Sequence, residues 1–465
     1  MNLDQVHRVY FIGIGGIGMS AIARYFISQK KSVAGYDRSE TSLTLELEEE
    51  GIPVHYADDV ALIPDDFKEG NQTLVVVTPA VPADHTELEW FAKHDFDIKK
   101  RAEVLGLISL TKDVIGIAGT HGKTTTSAMV SHLLTHSGQG CNAFLGGISV
   151  NYHTNFLRSD QSNWVVVEAD EYDRSFLQLH PKASIVTSMD ADHLDIYETF
   201  VEYCKAFYQY ISQIQPGGFL VIKKGLEPWP HPAGIKIFTY SLYGDSDFYA
   251  KNISVFEGHY QFDVASPFGI IEKIDLGTPG LLNVENAVAA IAMASILNIR
   301  SEAIHKAMES FRGVKRRFEY QIFTEKLKYI DDYGHHPEEL RFTIESVKEL
   351  FPGKKITGIF QPHLYSRTRD FADDFARSLN MLDEVILLEI YPARENPIPG
   401  VTSEALLDKI TIVRKHFCLK VNLIALLASM PLPEILITMG AGDIDTMVGP
   451  VRDLLLNRIL GTNTE

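Results

Sequence analysis

The sequence is poor in cysteine, in basic charge and in long apolar runs. Its 465 residues include 3 cysteines, Cys141, Cys204 and Cys418. So sparse and odd a set offers neither a disulfide framework nor a zinc site, and it fits a reducing compartment. Lysine and arginine number 43 against 61 acidic residues, a formal net charge of −18. That balance excludes a protein devoted to long nucleic acid, because such binding rests on cations that neutralise phosphates. Local basic spots remain free to hold a small anion. The longest apolar stretch near the C-terminus, LIALLASMPLPEILITM, is interrupted by Pro431, Pro433 and Glu434. It reads as helix, turn and strand rather than as a membrane span. The first residues, MNLDQVHRVYFIGIGG, enter a strand without the charged-then-apolar pattern of a secretory signal. No internal repeat and no low-complexity tract is present. The expectation is a cytoplasmic protein with no nucleic-acid and no membrane partner.

What is there is an ordinary globular composition, 45% hydrophobic and 22% charged, long enough for about three domains. Strand-like runs such as RVYFIGIG, TLVVVTPA, VIGIAG, WVVVEAD, ASIVTSMD, KITGIFQ, EVILLEIY and EILITMG alternate with helix-like segments. Continuous Val/Ile/Leu runs of this kind suit parallel strands covered on both faces, so the fold class is α/β. From 235 to 280 the pattern shortens and alternates, as in KIFTYS and YQFDV, which suggests a small antiparallel insertion. Breaks near 106–112 and 309–319 divide the chain into 1–108, 109–313 and 314–465.

Two glycine turns stand out. Gly13, Gly15 and Gly18 satisfy G-x-G-x-x-G directly after a strand and before a helix, and Asp37 ends the next strand. Glycines permit close approach to a diphosphate, the helix N-terminus favours its charge, and the acid can take ribose hydroxyls. The pattern fits a nucleotide diphosphate without saying which one, and NAD is the obvious candidate. The second turn, VIGIAGTHGKTTTSAMV, is also strand, turn and helix, but carries the short form G-x-x-G-K-T from Gly119 to Thr124. Backbone N–H groups around Thr120, His121 and Gly122 would cradle phosphates. Lys123 would reach the outer phosphate oxygens, and the Thr124 hydroxyl would join a Mg²⁺ shell. Two acidic strand ends follow, in EADEYD with Glu168 and in DADHLD with Asp192 and His193. Ligands in open parallel sheets gather outside the carboxyl ends of strands, so Thr124, Glu168 and His193 form a candidate site for Mg²⁺ or Mn²⁺.

GIGGIGMSAIA, GTHGKTTT, EADEYDRSFL, DADHLD, NVENAVAA, KRRFE, DDYGHHPEE, FQPHLYSRT and GAGDI follow one another along the chain. In kind and order these nine segments resemble the Mur ligases, and the resemblance runs from residue 6 to about 456. It implies three α/β domains. These are an N-terminal Rossmann-like domain for a UDP-sugar, a central P-loop-type ATPase domain with a mainly parallel sheet, and a C-terminal Rossmann-like domain for the amino acid. It further implies ATP-dependent joining of L-alanine to the lactyl carboxylate of UDP-N-acetylmuramate through an acyl phosphate and a tetrahedral intermediate, in a monomer or weak homodimer. On this resemblance the first turn holds not NAD but the UDP diphosphate, at Gly15, Gly16, Ile17 and Gly18, with Asp37 on the uridine ribose and Thr78 as a further contact.

By the same resemblance ATP lies on Gly119, Thr120, His121, Gly122, Lys123, Thr124 and Thr125. Asn283 and Asn286 meet adenine, Arg317 the transferring phosphate and Asp332 the ATP ribose. Metal falls to Thr124, Glu168 and His193, His335 stands near the acceptor site, and His363 and Arg367 receive alanine's carboxylate. Catalysis is carried by Lys123, His193, Arg317, His335 and Arg367. Two positions depart from the family pattern: Leu282 stands where a histidine is usual, and Leu364 where a second arginine is frequent, leaving Arg369 as an alternative carboxylate partner. Three rivals share some of these motifs. They are a recycling ligase that adds a preformed tripeptide to the same sugar nucleotide, an NAD-dependent oxidoreductase using the first turn, and a non-catalytic UDP-sugar sensor.

Overall fold

The computed structural model describes residues 3–190, 194–227, 233–256, 258–393 and 395–461. Three sheets are formed. The first contains β1 (Arg8–Ile12), β2 (Ser32–Tyr36), β3 (Val54–His55), β4 (Thr73–Val77) and β5 (Asp97–Lys100), in the order β3-β2-β1-β4-β5. All its pairings are parallel. The strand order reverses direction between β1 and β4, and the crevice outside such a switch point is where open α/β sheets bind ligands. Both the first glycine turn and Thr78 lie there.

The second sheet has ten strands: β6 (Asp113–Ala118), β7 (Asn142–Phe144), β8 (Phe156–Leu157), β9 (Trp164–Glu168), β10 (Ala183–Val186), β11 (Phe219–Lys223), β12 (Lys236–Tyr243), β13 (Phe248–Phe256), β14 (His259–Ser266) and β15 (Gly269–Leu276). Their order is β15-β14-β13-β12-β11-β10-β6-β9-β7-β8. Its middle strands pair in parallel, and β7 pairs antiparallel with β8. The stretch 235–280 is therefore the far edge of this sheet rather than a separate one. β12 pairs in parallel with both β11 and β13, and the two-residue connection from β14 into β15 is that of an antiparallel hairpin. β6 feeds the second glycine turn, and its Val114, Ile115 and Ile117 are fully buried. Each such side chain contributes on the order of 1.5–3 kcal/mol, which anchors the turn on a rigid strand.

The third sheet comprises β16 (Glu319–Phe323), β17 (Lys328–Asp332), β18 (Ile356–Phe360), β19 (Glu384–Leu387), β20 (Arg414–Phe417) and β21 (Ile435–Met439), ordered β16-β17-β21-β18-β19-β20. Only β16 runs antiparallel. The interrupted apolar stretch forms the helix Leu423–Ser429 and then β21, and among the described residues no helix is long and apolar enough to cross a membrane. The chain divides into two compact units. One holds Met1–Ile253, Phe262–Leu276 and Val284–Arg312; the other holds Ser254–Gln261, Gly277–Asn283 and Gly313–Glu465.

Candidate active site

The second glycine turn is fastened from both sides. Gly119 has φ +138°, and a Cβ there would collide with the Thr187 hydroxyl and stand 2.8 Å from the Ser188 nitrogen. Gly122, at φ +81°, caps the helix Lys123–His136 in the left-handed region that glycine adopts without penalty. A Cβ on it would stand 2.7 Å from Asn286 Oδ1. Thr120 Oγ1 donates to the Asp190 carbonyl (3.0 Å) and accepts from the Asp190 N–H (2.9 Å), while the His121 N–H donates to Ser188 Oγ (2.9 Å). The turn is thereby laced to the segment after β10, and helix-start N–H groups remain for an anion.

Lys123 is almost enclosed. Its Nζ donates to the carbonyls of Gly119 (2.6 Å) and Thr120 (3.3 Å) and to Glu171, whose carboxylate oxygens lie at 2.9 and 2.8 Å. Burial disfavours the charged ammonium, but Glu171, Glu168 and Asp170 around it prevail and hold its pKa above the ordinary lysine value. Thr124 Oγ1 donates to Glu168 Oε1 at 3.1 Å. The other oxygen, Glu168 Oε2, is buried without a hydrogen-bond partner among the described residues. An unsatisfied buried carboxylate oxygen beside a hydroxyl is a donor set made for a hard cation. His193, assigned to the same metal and to catalysis, lies outside the described residues, as does Asp192. Thr125 is buried one residue further along the helix.

At the first turn Gly13 has φ +89°, and a Cβ on it would strike the Thr78 methyl, so Thr78 is brought against the turn. The N–H groups of Gly13 and Ile14 both donate to the Tyr36 carbonyl, and the Gly15 N–H donates to Asp37 Oδ2 at 2.7 Å. The helix Ile17–Ser28 begins there with Gly16 as its N-cap. Gly15, Gly16, Ile17, Gly18, Asp37 and Thr78 thus form one crevice.

The second unit gathers a different set. The Arg317 guanidinium lies over the Tyr333 ring at 4.8 Å, whereas its neighbour Arg316 donates to Asp331 Oδ2 (3.2 Å) and to the Gly440 carbonyl. Asp332 accepts the N–H groups of Phe318 and Gly334, each at 2.8 Å. The rings of His335 and His363 meet edge to face at 5.8 Å, and His363 stacks on Tyr391 at 5.7 Å. Burial, then His335 and Arg367, press the His363 imidazole down to about 4, and burial lowers His335 too. Two neutral imidazoles therefore stand with Arg367, whose Nη1 is buried without a hydrogen-bond partner among the described residues, as is His363 Nδ1. Orphaned donors of this kind suit a carboxylate. Leu364 is held at φ +69°, and Arg369 pairs instead with exposed Asp370 at 2.7 Å. Asn283 and Asn286 lie about one turn apart on the helix Leu281–Ile296, and Asn286 is buried.

Sequence reasoning missed Glu171, the buried partner of Lys123, although it stands in the EADEYD segment that pointed to Glu168. Three family models match consecutive stretches of the chain: Mur ligase family, catalytic domain, over 8–112; Mur ligase middle domain, over 117–294; and Mur ligase, glutamate ligase domain, over 316–442. The chain belongs to the Mur ligase family. Among curated Mur ligases, a UDP-N-acetylmuramate–L-alanine ligase of Parabacteroides distasonis is 51% identical over 460 residues, 99% of either chain. One of Flavobacterium johnsoniae is 48% identical, covering 99% of this chain and 100% of its own. A solved structure of UDP-N-acetylmuramate–alanine ligase from Thermotoga maritima superposes with a TM-score of 0.80 at 28% identity, over 98% of this chain and 99% of the other. A murein peptide ligase from Psychrobacter arcticus shares the fold, with a TM-score of 0.68 at 21% identity over 97% and 98%.

Proposed function

We propose that this Mur ligase joins L-alanine to the lactyl carboxylate of UDP-N-acetylmuramate, with cleavage of ATP to ADP and phosphate, as a step in building cell wall precursor in the bacterial cytoplasm. The carrying observation is the second turn, where a buried, charged lysine stands at a glycine cradle beside an unsatisfied carboxylate. Full-length similarity to relatives that bear this activity in their names supports the substrate pair. The domain limits we adopt are 1–108, 109–313 and 314–465, and the assembly is a monomer or weak homodimer.

In this reading the residues divide the work. Gly119 to Thr125 bind the ATP phosphates, and Lys123 neutralises charge on the oxygens of the transferring phosphoryl group. Asn283 and Asn286 take adenine, Asp332 the ribose, and Arg317 the phosphate. Thr124 and Glu168, with His193, would hold Mg²⁺. That ion, or Mn²⁺ in its place, supplies further neutralisation of the phosphoryl oxygens. Gly15, Gly16, Ile17, Gly18, Asp37 and Thr78 hold the sugar nucleotide so that its carboxylate presents to the phosphoryl group. His363 and Arg367 orient alanine through its carboxylate, and His335 stands near the acceptor site; the unprotonated imidazoles add no positive charge beside the amine. Positioning in place of chemistry by the protein is what phosphoryl transfer asks of an enzyme.

The test is phosphate release with ATP, Mg²⁺ and UDP-N-acetylmuramate, with L-alanine, glycine, L-serine or the tripeptide added separately. Release that depends on L-alanine supports the proposal. Release with tripeptide alone moves the chain to the recycling activity, and no release with any of them overturns the reaction.

A further inference from the structure

Arg101 is the first residue of the helix Arg101–Ser109, which follows β5, and nothing in the assignments above uses it. Its position is tightly fixed. Gly106, five residues on, brings that helix so near the segment 172–178 that a Cβ would stand 2.7 Å from the Gln178 carbonyl oxygen. Ser109 Oγ accepts the His180 N–H at 3.2 Å at the helix's other end. So anchored, the guanidinium lies directly over the first glycine turn. A Cβ on Gly18 would collide with Nη1 and stand 3.2 Å from Cζ. On its other side Nη2 donates to Asp170 Oδ2 at 3.2 Å. That is its only hydrogen bond among the described residues, so most of the guanidinium's donors are unused, and the side chain is 26% exposed.

Arg101 and Asp170 also line a narrow cleft of about 10 Å³, room for about one water, together with Glu168, Ser175, Leu105 and Phe176. The cleft therefore runs from the arginine that lies against the sugar-nucleotide turn to Glu168, the carboxylate of the candidate metal site. An arginine with free N–H groups, held by a carboxylate at its back and facing a crevice built for an anionic ligand, is arranged for bidentate recognition of an oxyanion. Resting on the reading of the first turn given above, we infer that Arg101 is a substrate-binding residue that receives an anionic group of the sugar nucleotide, and that Asp170 is its positioning residue. The group is either the diphosphate or the lactyl carboxylate; each presents paired oxygens to a guanidinium.

Asp170 sits between Glu168 and Glu171, and Glu171 holds Lys123 at the second turn. One acidic segment thus grips the arginine of one substrate site and the lysine of the other. Asp170→Asn keeps a side chain of the same size yet weakens its hold on Arg101, so it is the second variant of the test.

The experiment measures KM for each substrate in Arg101→Ala, Arg101→Lys and Asp170→Asn, with calorimetric binding of UDP, UDP-N-acetylglucosamine and UDP-N-acetylmuramate and a thermal melt for each variant. Arg101→Ala is expected to raise KM for UDP-N-acetylmuramate by roughly 10- to 100-fold, a range typical of one lost charge-assisted pair, with KM for ATP within about twofold. Arg101→Lys recovers part of the loss, and Asp170→Asn shows a smaller loss of the same kind. Weakened binding of all three nucleotides identifies the diphosphate as the bound group; weakening confined to UDP-N-acetylmuramate identifies the carboxylate. Unchanged affinity for UDP-N-acetylmuramate, a loss in kcat alone, or a rise in KM for ATP alone each overturns the inference. Should Arg101→Ala fail to melt cooperatively, Arg101→Lys and Asp170→Asn decide it by the same readings. If the wild type releases no phosphate yet binds these nucleotides and Arg101→Ala does not, the reaction reading fails while the role of Arg101 stands.

Discussion

The two glycine turns share a backbone plan and differ in where their charge comes from. Each follows a buried parallel strand, each opens a helix, and each holds a glycine at a positive φ that glycine adopts without steric cost, Gly13 at +89° and Gly122 at +81°. The second turn carries its own cation, Lys123, one residue past the glycine, with Glu171 and Glu168 close beside it. The first carries none. Its own charged neighbour is the acid Asp37, already engaged by the Gly15 N–H, and the arginine that lies against it, Arg101, arrives from another element. A site that must only hold a diphosphate can rely on backbone dipoles and a borrowed arginine. A site that must stabilise charge as it moves needs a cation fixed in the turn itself.

Lys123→Ala is the sharpest way to break this contrast. Loss of a fixed cation at a phosphoryl group costs roughly 10³-fold or more, so phosphate release is expected to fall below detection while UDP-N-acetylmuramate binding stays within about twofold. Retained turnover in that variant would remove the functional difference between the turns. Glu168→Gln comes next. It keeps the shape, and the hydrogen bond from Thr124 can persist, but the buried oxygen loses its charge. The expected outcome is a fall in kcat on the order of 10²-fold, with a higher Mg²⁺ concentration needed for half-maximal rate. A Mg²⁺ titration that superposes on the wild type would count against Glu168 as a ligand.

The glycines give a paired prediction of smaller size. Gly122→Ala forces a Cβ into the left-handed region and to within 2.7 Å of Asn286 Oδ1. Gly15→Ala places one 2.9 Å from Asp37 Oδ2 and 2.7 Å from the Thr44 methyl. Left-handed strain of about 1–2 kcal/mol at Gly122, and a steric cost of about the same size at Gly15, each convert to roughly tenfold in affinity. The first is expected to raise KM for ATP alone and the second KM for UDP-N-acetylmuramate alone. If either variant raised both, the two turns would not be separate sites.

How far the sequence foretells this arrangement depends on how local the cause is. The turns are legible because glycine and its neighbours dictate the backbone within six residues. The central lysine and threonine are legible because their spacing from Gly122 is fixed by one helical turn. Glu171 and Arg101 are not, because what gives them meaning is a partner 48 residues away in one case and 69 in the other. Asn286 at Gly122 was reachable only through resemblance, since no periodicity links a helix at 281–296 to a turn before it. Alternation in 235–280 correctly marked half-exposed strands but could not say that they would continue the central sheet, because edge pairing leaves no mark in a strand's own pattern. Leu364 read as a missing arginine; its positive φ, a matter of loop closure, was invisible.

The least disruptive prediction concerns buried carboxylates, where the two regions again part. Glu171 sits under the second turn with a lysine against it. Glu87, beneath the first sheet, is fully buried, and among the described residues no lysine or arginine is paired to it. The Tyr10 hydroxyl donates to its Oε2 at 2.8 Å, and His55 Nε2 stands 3.3 Å from its Oε1. Burial, with Asp58 and Asp59 nearby adding to it, pushes the Glu87 carboxyl up to about 7 from 4.5, against the opposing Tyr10 hydrogen bond. A carboxyl whose folded pKa is raised binds more protons folded than unfolded, so its contribution is complete below about 4.5 and is lost as pH rises towards 7. The loss amounts to about 3 kcal/mol at most. His55 and His85 work the other way. Burial lowers both imidazoles, so their share of stability grows with pH up to the ordinary histidine value. Glu87→Gln isolates the carboxyl, because glutamine still accepts from Tyr10 but cannot ionise. Its stability advantage over the wild type, followed by denaturant melts from pH 4.5 to 8, is expected to widen up to about pH 7 and then stay constant. A pH-independent difference would mean that Glu87 is ionised in the folded protein and that His55 carries the compensating charge.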